Sequence, residues 1–261
     1  MRRLLLALII LGATVTPAQA KIPGIGGRIQ IICDFSHRNF DDAIVHPGLH
    51  NSTHEHGYVG SDSTDGLSTV ASMEASSTSC GEQADTSGYW FPLLIDPQGR
   101  VYEPDRVLVY YNAMQGVTVN MVPEGLKMLA GGDTANIDVV NYTCGDNRPV
   151  YPTPKHCTND RVGVVANIYF PDCIGPNGEQ VYAQKVCPSG YLQIPDIHFD
   201  VRYPLYTGGA GWGLTSDAMK GMSDGRSLHA DFWQTWSDQS VLANLIETCD
   251  NTGINCRNVG V

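Results

Sequence analysis

The sequence predicts a mainly β protein: a single antiparallel β-sandwich or jelly-roll-like domain with long loops, one C-terminal helix and disulfide staples. Three observations carry that expectation. Short runs rich in Val, Ile, Tyr and Phe recur along the chain, broken by Gly, Pro, Asn and Asp. In the run 197–203, Ile197, Phe199, Val201 and Tyr203 alternate with His198, Asp200 and Arg202, the period of two of a half-buried strand. Eight cysteines, an even number, follow an N-terminal segment of export type.

That segment comes first. Arg2 and Arg3 precede an apolar stretch over 4–11, and Ala18-Gln19-Ala20 supplies a small-residue cleavage site, so residues 1–20 read as a secretory signal. The stretch is too short for a membrane span. Its removal leaves residues 21–261 as one secreted domain, extracellular and with no membrane span, because no repeat or linker divides them. Strands are expected at 28–33, 89–95, 107–112, 126–129, 137–144, 162–170 and 197–203. Residues 208–213, with four glycines, read as a mobile loop. Over 239–249, Val241, Leu242, Leu245 and Ile246 fall at helical spacing behind Asp238, a short carboxylate suited to an N-cap.

Composition narrows the function. The 42% hydrophobic content in 261 residues suffices for a sizeable core, and 16% charge argues against a disordered chain. A formal net charge of -11, with only 16 Lys and Arg, excludes a nucleic-acid partner, which needs a clustered basic surface. Spacing pairs Cys144 with Cys157, Cys173 with Cys187 and Cys249 with Cys256 in short loops, and leaves Cys33 with Cys80. No Cys-x-x-Cys pair is present, so the cysteines do not point to a thiolate zinc site. No phosphate-cradling loop or dinucleotide fingerprint appears, and no Gly-x-Ser-x-Gly elbow surrounds Ser36.

The chemical signal is a cluster of titratable residues. Five of the eight histidines, His37, His46, His50, His54 and His56, share residues 37–56 with Asp34, Asp41, Asp42 and Glu55. Imidazole titrates near neutral pH and binds metals. An extended His54-Glu55-His56 would point both rings to one face and Glu55 to the other. His229-Ala230-Asp231 is a second pair of ligand-type residues at the same spacing, and imidazole with carboxylate suffices to hold a transition metal. The alternative for these residues is a solvated polar loop and a turn-capping Asp231. Neighbouring Asp41 and Asp42 would face opposite ways, one toward the histidines and one tying down a turn before Ala43-Ile44-Val45. Trp90, Trp212, Trp233 and Trp236 could stack on sugars or fill the core. Sequons start at Asn51 and Asn141, and a glycan on the first would crowd the proposed site.

Read in order, six blocks resemble the secreted fungal and bacterial family known as domain of unknown function nineteen ninety-six. They are Cys33-x-x-Ser36-His37-x-x-x-Asp41-Asp42-x-Ile44-Val45-x-Pro47-Gly48; His54-x-His56-x-Tyr58-x-Gly60; Asp85-x-Ser87-x-Tyr89-Trp90-x-Pro92; Pro123-x-Gly125-x-x-Met128; Phe170-Pro171-Asp172-Cys173; and His229-x-Asp231-Phe232. The resemblance implies site positions at Ser36, His37, Asp41, Asp42, His54, His56, Tyr89, His229 and Asp231. Relatives often carry cell-wall-binding WSC modules, which implies a polysaccharide context. The chain departs from the family pattern at Gly57 and after Cys173, where Ile174-Gly175 and then Gln180-Val181-Tyr182-Ala183 stand.

The resulting expectation is a secreted polysaccharide-active protein, a glycoside hydrolase or polysaccharide lyase, with His37, Asp41, Asp42, His54, His56, Tyr89, His229 and Asp231 in its cleft. Two alternatives stand beside it: a divalent-metal site on His54, His56 and His229, and a non-catalytic glycan- or cell-surface-binding protein. The sequence leaves oligomeric state open.

Overall fold

The computed structural model describes residues 25–132, 136–145, 147–157, 163–183, 185–205 and 209–260. The expected signal segment and Gly208 lie outside the described residues. Two large sheets dominate. The larger has seven strands in the order Asn147–Tyr151, Val140–Cys144, Val164–Tyr169, Asp196–Tyr203, Arg106–Met114, Ile25–Cys33 and Asn255–Cys256. All its neighbours are antiparallel except the last pair, where Arg28 and Ile29 run parallel to Asn255 and Cys256. The smaller runs His37–Asn39, His56–Gly60, Gly88–Pro92, His229–Trp233 and Lys127–Gly131, antiparallel throughout.

The sheets pack face to face, as a sandwich. Alternation sends Ile29, Ile31, Val107, Val109, Tyr111, Ile197, Phe199 and Val201 inward from the larger sheet. They meet Val59, Tyr89, Phe91, Met128, Ala130 and Phe232 from the smaller. Aromatic edges lock the layers together: Tyr89 meets the Phe199 ring at 5.3 Å and 89°, and Phe170 meets Phe232 at 6.2 Å and 66°. Trp90 and Trp236 are fully buried and Trp233 nearly so, while Trp212 rests half-buried on Tyr102.

The apolar runs read from sequence each contribute a strand to these sheets, with Leu94–Ile95 passing to a separate three-stranded sheet. The run 89–95 divides at Leu93, whose backbone turns aside to bond both the amide and the hydroxyl of Thr215. Two strands of the smaller sheet escape the pattern: His37–Asn39 is three residues long, and His56–Gly60 carries two glycines and is buried on both faces. The C-terminal helix spans Gln239–Leu245, starts at Asp238 with its carboxylate accepting from the Ser240 amide, and continues as one π-turn over Ile246–Asp250. A second, short helix, Val70–Glu74, is closed by a Thr69/Ser72 capping box. Gly27 is where the C-terminal segment crosses the first strand: a Cβ there would meet the Cys249 carbonyl at 2.1 Å.

All four disulfides form as the spacing predicts: Cys33–Cys80, Cys144–Cys157, Cys173–Cys187 and Cys249–Cys256. That complement accords with an oxidising compartment. Among the described residues no helix is long and apolar enough to cross a membrane. Cys33–Cys80 closes the longest loop, 47 residues, and that loop carries half the candidate site. Replacing both cysteines by alanine should cost about 4 kcal/mol in the chain-entropy view. A urea titration checks this; a loss below ~1 kcal/mol would show that the loop is held by its packing alone.

Candidate metal centre

The outer face of the five-stranded sheet is built by alternation. Val59, Tyr89, Phe91, Ala230 and Phe232 point into the sandwich, which leaves Tyr58, Trp90 and Trp233 on the other side in a second small core with Ala43 and Met73. Segments on either side of the His56–Gly60 strand, carrying Ala43 and Ile44 before it and Val70 and Met73 after it, pack over this face, and side chains that would otherwise meet water are buried there. His56 is fully buried, as is Asp231; Asp42 is 4% exposed.

At the edge of this covered face three imidazoles converge. His54 Nε2 lies 3.2 Å from His229 Nε2, and His56 Nε2 lies 3.5 Å from the same atom. Ligands at ~2.0–2.1 Å around a tetrahedral ion stand about 3.3–3.4 Å apart. The observed separations bracket that edge. The two histidines of His54-Glu55-His56 do share one face, and Glu55 leaves it to pair with Arg38 at 3.3 Å.

Protonation decides what this convergence means. His56 Nδ1 donates to the Asp41 carbonyl at 3.0 Å, and His229 Nδ1 donates to the Ser227 carbonyl at 2.7 Å. A carbonyl can only accept, so in both neutral rings the proton sits on Nδ1 and the Nε2 lone pair faces inward. Two lone pairs 3.5 Å apart repel unless a cation stands between them. A proton is a poor candidate: burial, then the neighbouring His229, pushes the His54 pKa down to about 3. Burial likewise drives His56 well below its usual value, and His54 and His229 add to the effect. The three ring nitrogens form a group that could hold a metal ion.

Two carboxylates complete the electrostatics. Ligand atoms of Asp42, His56 and Asp231 all lie within 4.8 Å of one another, a group that shares His56 with the three histidines. One Asp42 oxygen accepts from the amides of Ile44 and Val45, the turn expected of one member of the Asp41-Asp42 pair. Among the described residues neither oxygen of Asp231 has a hydrogen-bond partner. Burial, then Asp42, raises the Asp231 pKa far above the carboxylate range. An unpartnered carboxylate in the interior is costly without a counter-charge, which a cation beside His56 would supply.

Asp41 positions rather than joins this group. Its carboxylate accepts from His50 Nδ1 at 2.6 Å, from the Asn51 amide at 2.7 Å and from the Gly66 amide at 2.9 Å, which folds the covering loop. Its carbonyl holds both His56 and the Tyr58 hydroxyl. Ser227 is fixed in turn by the Asp217 carboxylate and the Ser216 hydroxyl. Orienting bonds of this kind set ring direction in metal sites. Two expected site residues lie elsewhere. His37 stacks on the far side of Tyr58 at 4.7 Å, with its ring nitrogens on Ser36 and the Thr64 carbonyl. Tyr89 points into the sandwich core, its hydroxyl on Asp85 and Tyr111, because it occupies the opposite strand face from Trp90. On the covering loop His46 is half-buried and Asn51 exposed, whereas Asn141 is buried with its amide nitrogen donating to the Ile137 carbonyl, so the second sequon is not a surface acceptor.

A family profile described as Domain of unknown function (DUF1996) matches residues 42–236, about three quarters of the chain. The chain belongs to this family. No curated protein and no solved structure matches it. The DUF1996 span contains Asp42, His54, His56, His229 and Asp231, while Asp41 and the first strand of the larger sheet fall outside it.

Sequence reasoning missed a second group of polar residues, on the outer face of the seven-stranded sheet. Arg28, Tyr110, Asn112, His198, Asp200 and Arg202 line a cleft of about 940 Å³ there. None of the three converging histidines lines it. Their signal was present in the polar half of each alternating strand, where charged, amide and aromatic residues recur at every second position.

Proposed function

We propose that this DUF1996 protein is a secreted metalloprotein whose His54, His56 and His229 bind one divalent transition metal, with Asp231 and Asp42 as nearby acidic groups. One observation carries the reading: imidazole Nε2 atoms at 3.2 and 3.5 Å around one buried and two half-buried histidines, two of them tautomerically fixed as acceptors. Three nitrogen donors suit zinc or copper. Three protein ligands with a fourth position open are the pattern of catalytic rather than structural zinc, and such an ion polarises a bound oxygen or activates water. Action on extracellular polysaccharide is the substrate class we attach to this centre, on the strength of the sequence resemblance.

The test is elemental analysis. Protein purified without added metal, incubated with Zn²⁺ or Cu²⁺ and dialysed, should retain about one equivalent per chain. A His54→Ala, His56→Ala double variant should retain none. Equal retention by both proteins would reject the site. For copper, the electron paramagnetic resonance spectrum should also carry nitrogen hyperfine structure that the double variant lacks.

A further inference from the structure

The cleft on the seven-stranded sheet holds a positive group that the fold fixes but does not neutralise. Arg28 is anchored by Nε donating to Asn112 Oδ1 at 2.7 Å, and its guanidinium lies 4.6 Å over the Tyr110 ring. The stack continues: Tyr110 on His198 at 4.4 Å and 19°, then His198 on Tyr169 at 4.8 Å and 27°. One carboxylate of the cleft floor is already engaged. Asp200 takes His198 at 3.3 Å and Arg202 at 3.3 Å. Arg28 makes no ion pair among the described residues; Asp200, Asp196 and Asp250 act on it only through space. Burial lowers its pKa, so the site holds this cation at a cost.

An unpaired, oriented guanidinium is unusual in a chain with 27 acidic residues against 16 basic ones. Guanidinium forks match carboxylates, and stacking pre-organises the fork. The surrounding floor supplies amides and hydroxyls, from Gln30, Asn112, Asn141, Asn167 and Tyr110, which are complementary to sugar hydroxyls. From Val140–Cys144 to Ile25–Cys33 the floor crosses five strands, roughly 19 Å at ~4.8 Å per strand spacing, longer than one monosaccharide. We infer that this cleft binds an acidic oligosaccharide, with Arg28 receiving the carboxylate of a uronic acid residue. The inference does not depend on the metal centre, which lies on the outer face of the other sheet.

Isothermal titration checks it with polygalacturonate-type oligomers, neutral oligoglucosides of the same length, and monomeric galacturonate. The acidic oligomer should bind at least tenfold more tightly than the other two, and less tightly as salt is raised. Arg28→Gln should weaken acidic-oligomer binding at least tenfold while leaving neutral-oligomer binding unchanged. Arg28→Lys, which keeps the charge, controls for folding and should recover part of the loss. Equal binding of neutral and acidic oligomers, or an unaffected Arg28→Gln, overturns the proposal. Monomer bound as tightly as oligomer reduces the cleft to a small-anion site and also overturns it. The His54→Ala, His56→Ala variant should bind the oligomer normally, so failure of the metal reading and failure of this one are separable.

Discussion

Replacing His229 by alanine should lower metal affinity at least about a hundredfold, because orienting partners alone are worth ten- to a hundredfold and His229 is a direct donor. It is the hinge of the trio, with the 3.2 and 3.5 Å Nε2 separations both running to it. Without it the remaining pair belongs to one short segment, and two donors from one segment hold an ion poorly. Calorimetric titration with Zn²⁺ measures the change. Thermal stability gives a second readout: ligand at a hundred times Kd adds about 2.7 kcal/mol to the native protein, and His229→Ala should show no such increment. An unchanged increment would mean that the metal sits elsewhere.

The same site sets a pH dependence. His54 and His56 have folded pKa values below the ~6.5 of an unfolded imidazole. Between about pH 6.5 and 3 the unfolded chain therefore takes up protons that the folded chain refuses, and metal-free protein loses stability as pH falls through that window. Bound metal competes only with protons the site already resists, so retention should persist below pH 6.5, where ordinary imidazoles release their ions.

Replacing Asp231 by asparagine is expected to act in opposite directions on the two forms. In metal-free protein at pH 7 the buried carboxylate has a raised pKa, so its ionisation or its retained proton opposes folding. The folded pKa exceeds the unfolded ~3.9, and this penalty grows as pH rises from there. The neutral amide removes it, and metal-free Asp231→Asn should be more stable at pH 7 by about 1–3 kcal/mol. The metal-loaded protein should gain nothing, because the lost negative charge also weakens cation binding. Parallel urea titrations with and without Zn²⁺ check the sign. Destabilisation of both forms would mean that Asp231 serves packing and does not complement a cation.

Much of this protein is legible in its sequence. Strand positions follow from local alternation and the helix start from Asp238, each depending on neighbours within a few residues; three disulfides follow from closure of short loops and the fourth, Cys33–Cys80, from elimination. The ligand types in His54-x-His56 and His229-x-Asp231 were visible for the same reason. Their meeting was not, since it requires the His56–Gly60 and His229–Trp233 strands to flank Gly88–Pro92 in one sheet, a pairing across some 170 residues. Nor could the sequence say which face a side chain would take. Tyr89 and Trp90 are adjacent and of like character, yet register against Phe232 and Asp231 sends one into the sandwich and the other beneath the covering loop. In the sequence Arg28 is only the first residue of an expected strand; the seven-stranded sheet sets it beside Asn112 and over Tyr110. Local chemistry is written residue by residue, whereas convergence and charge balance arise only when distant strands choose their partners.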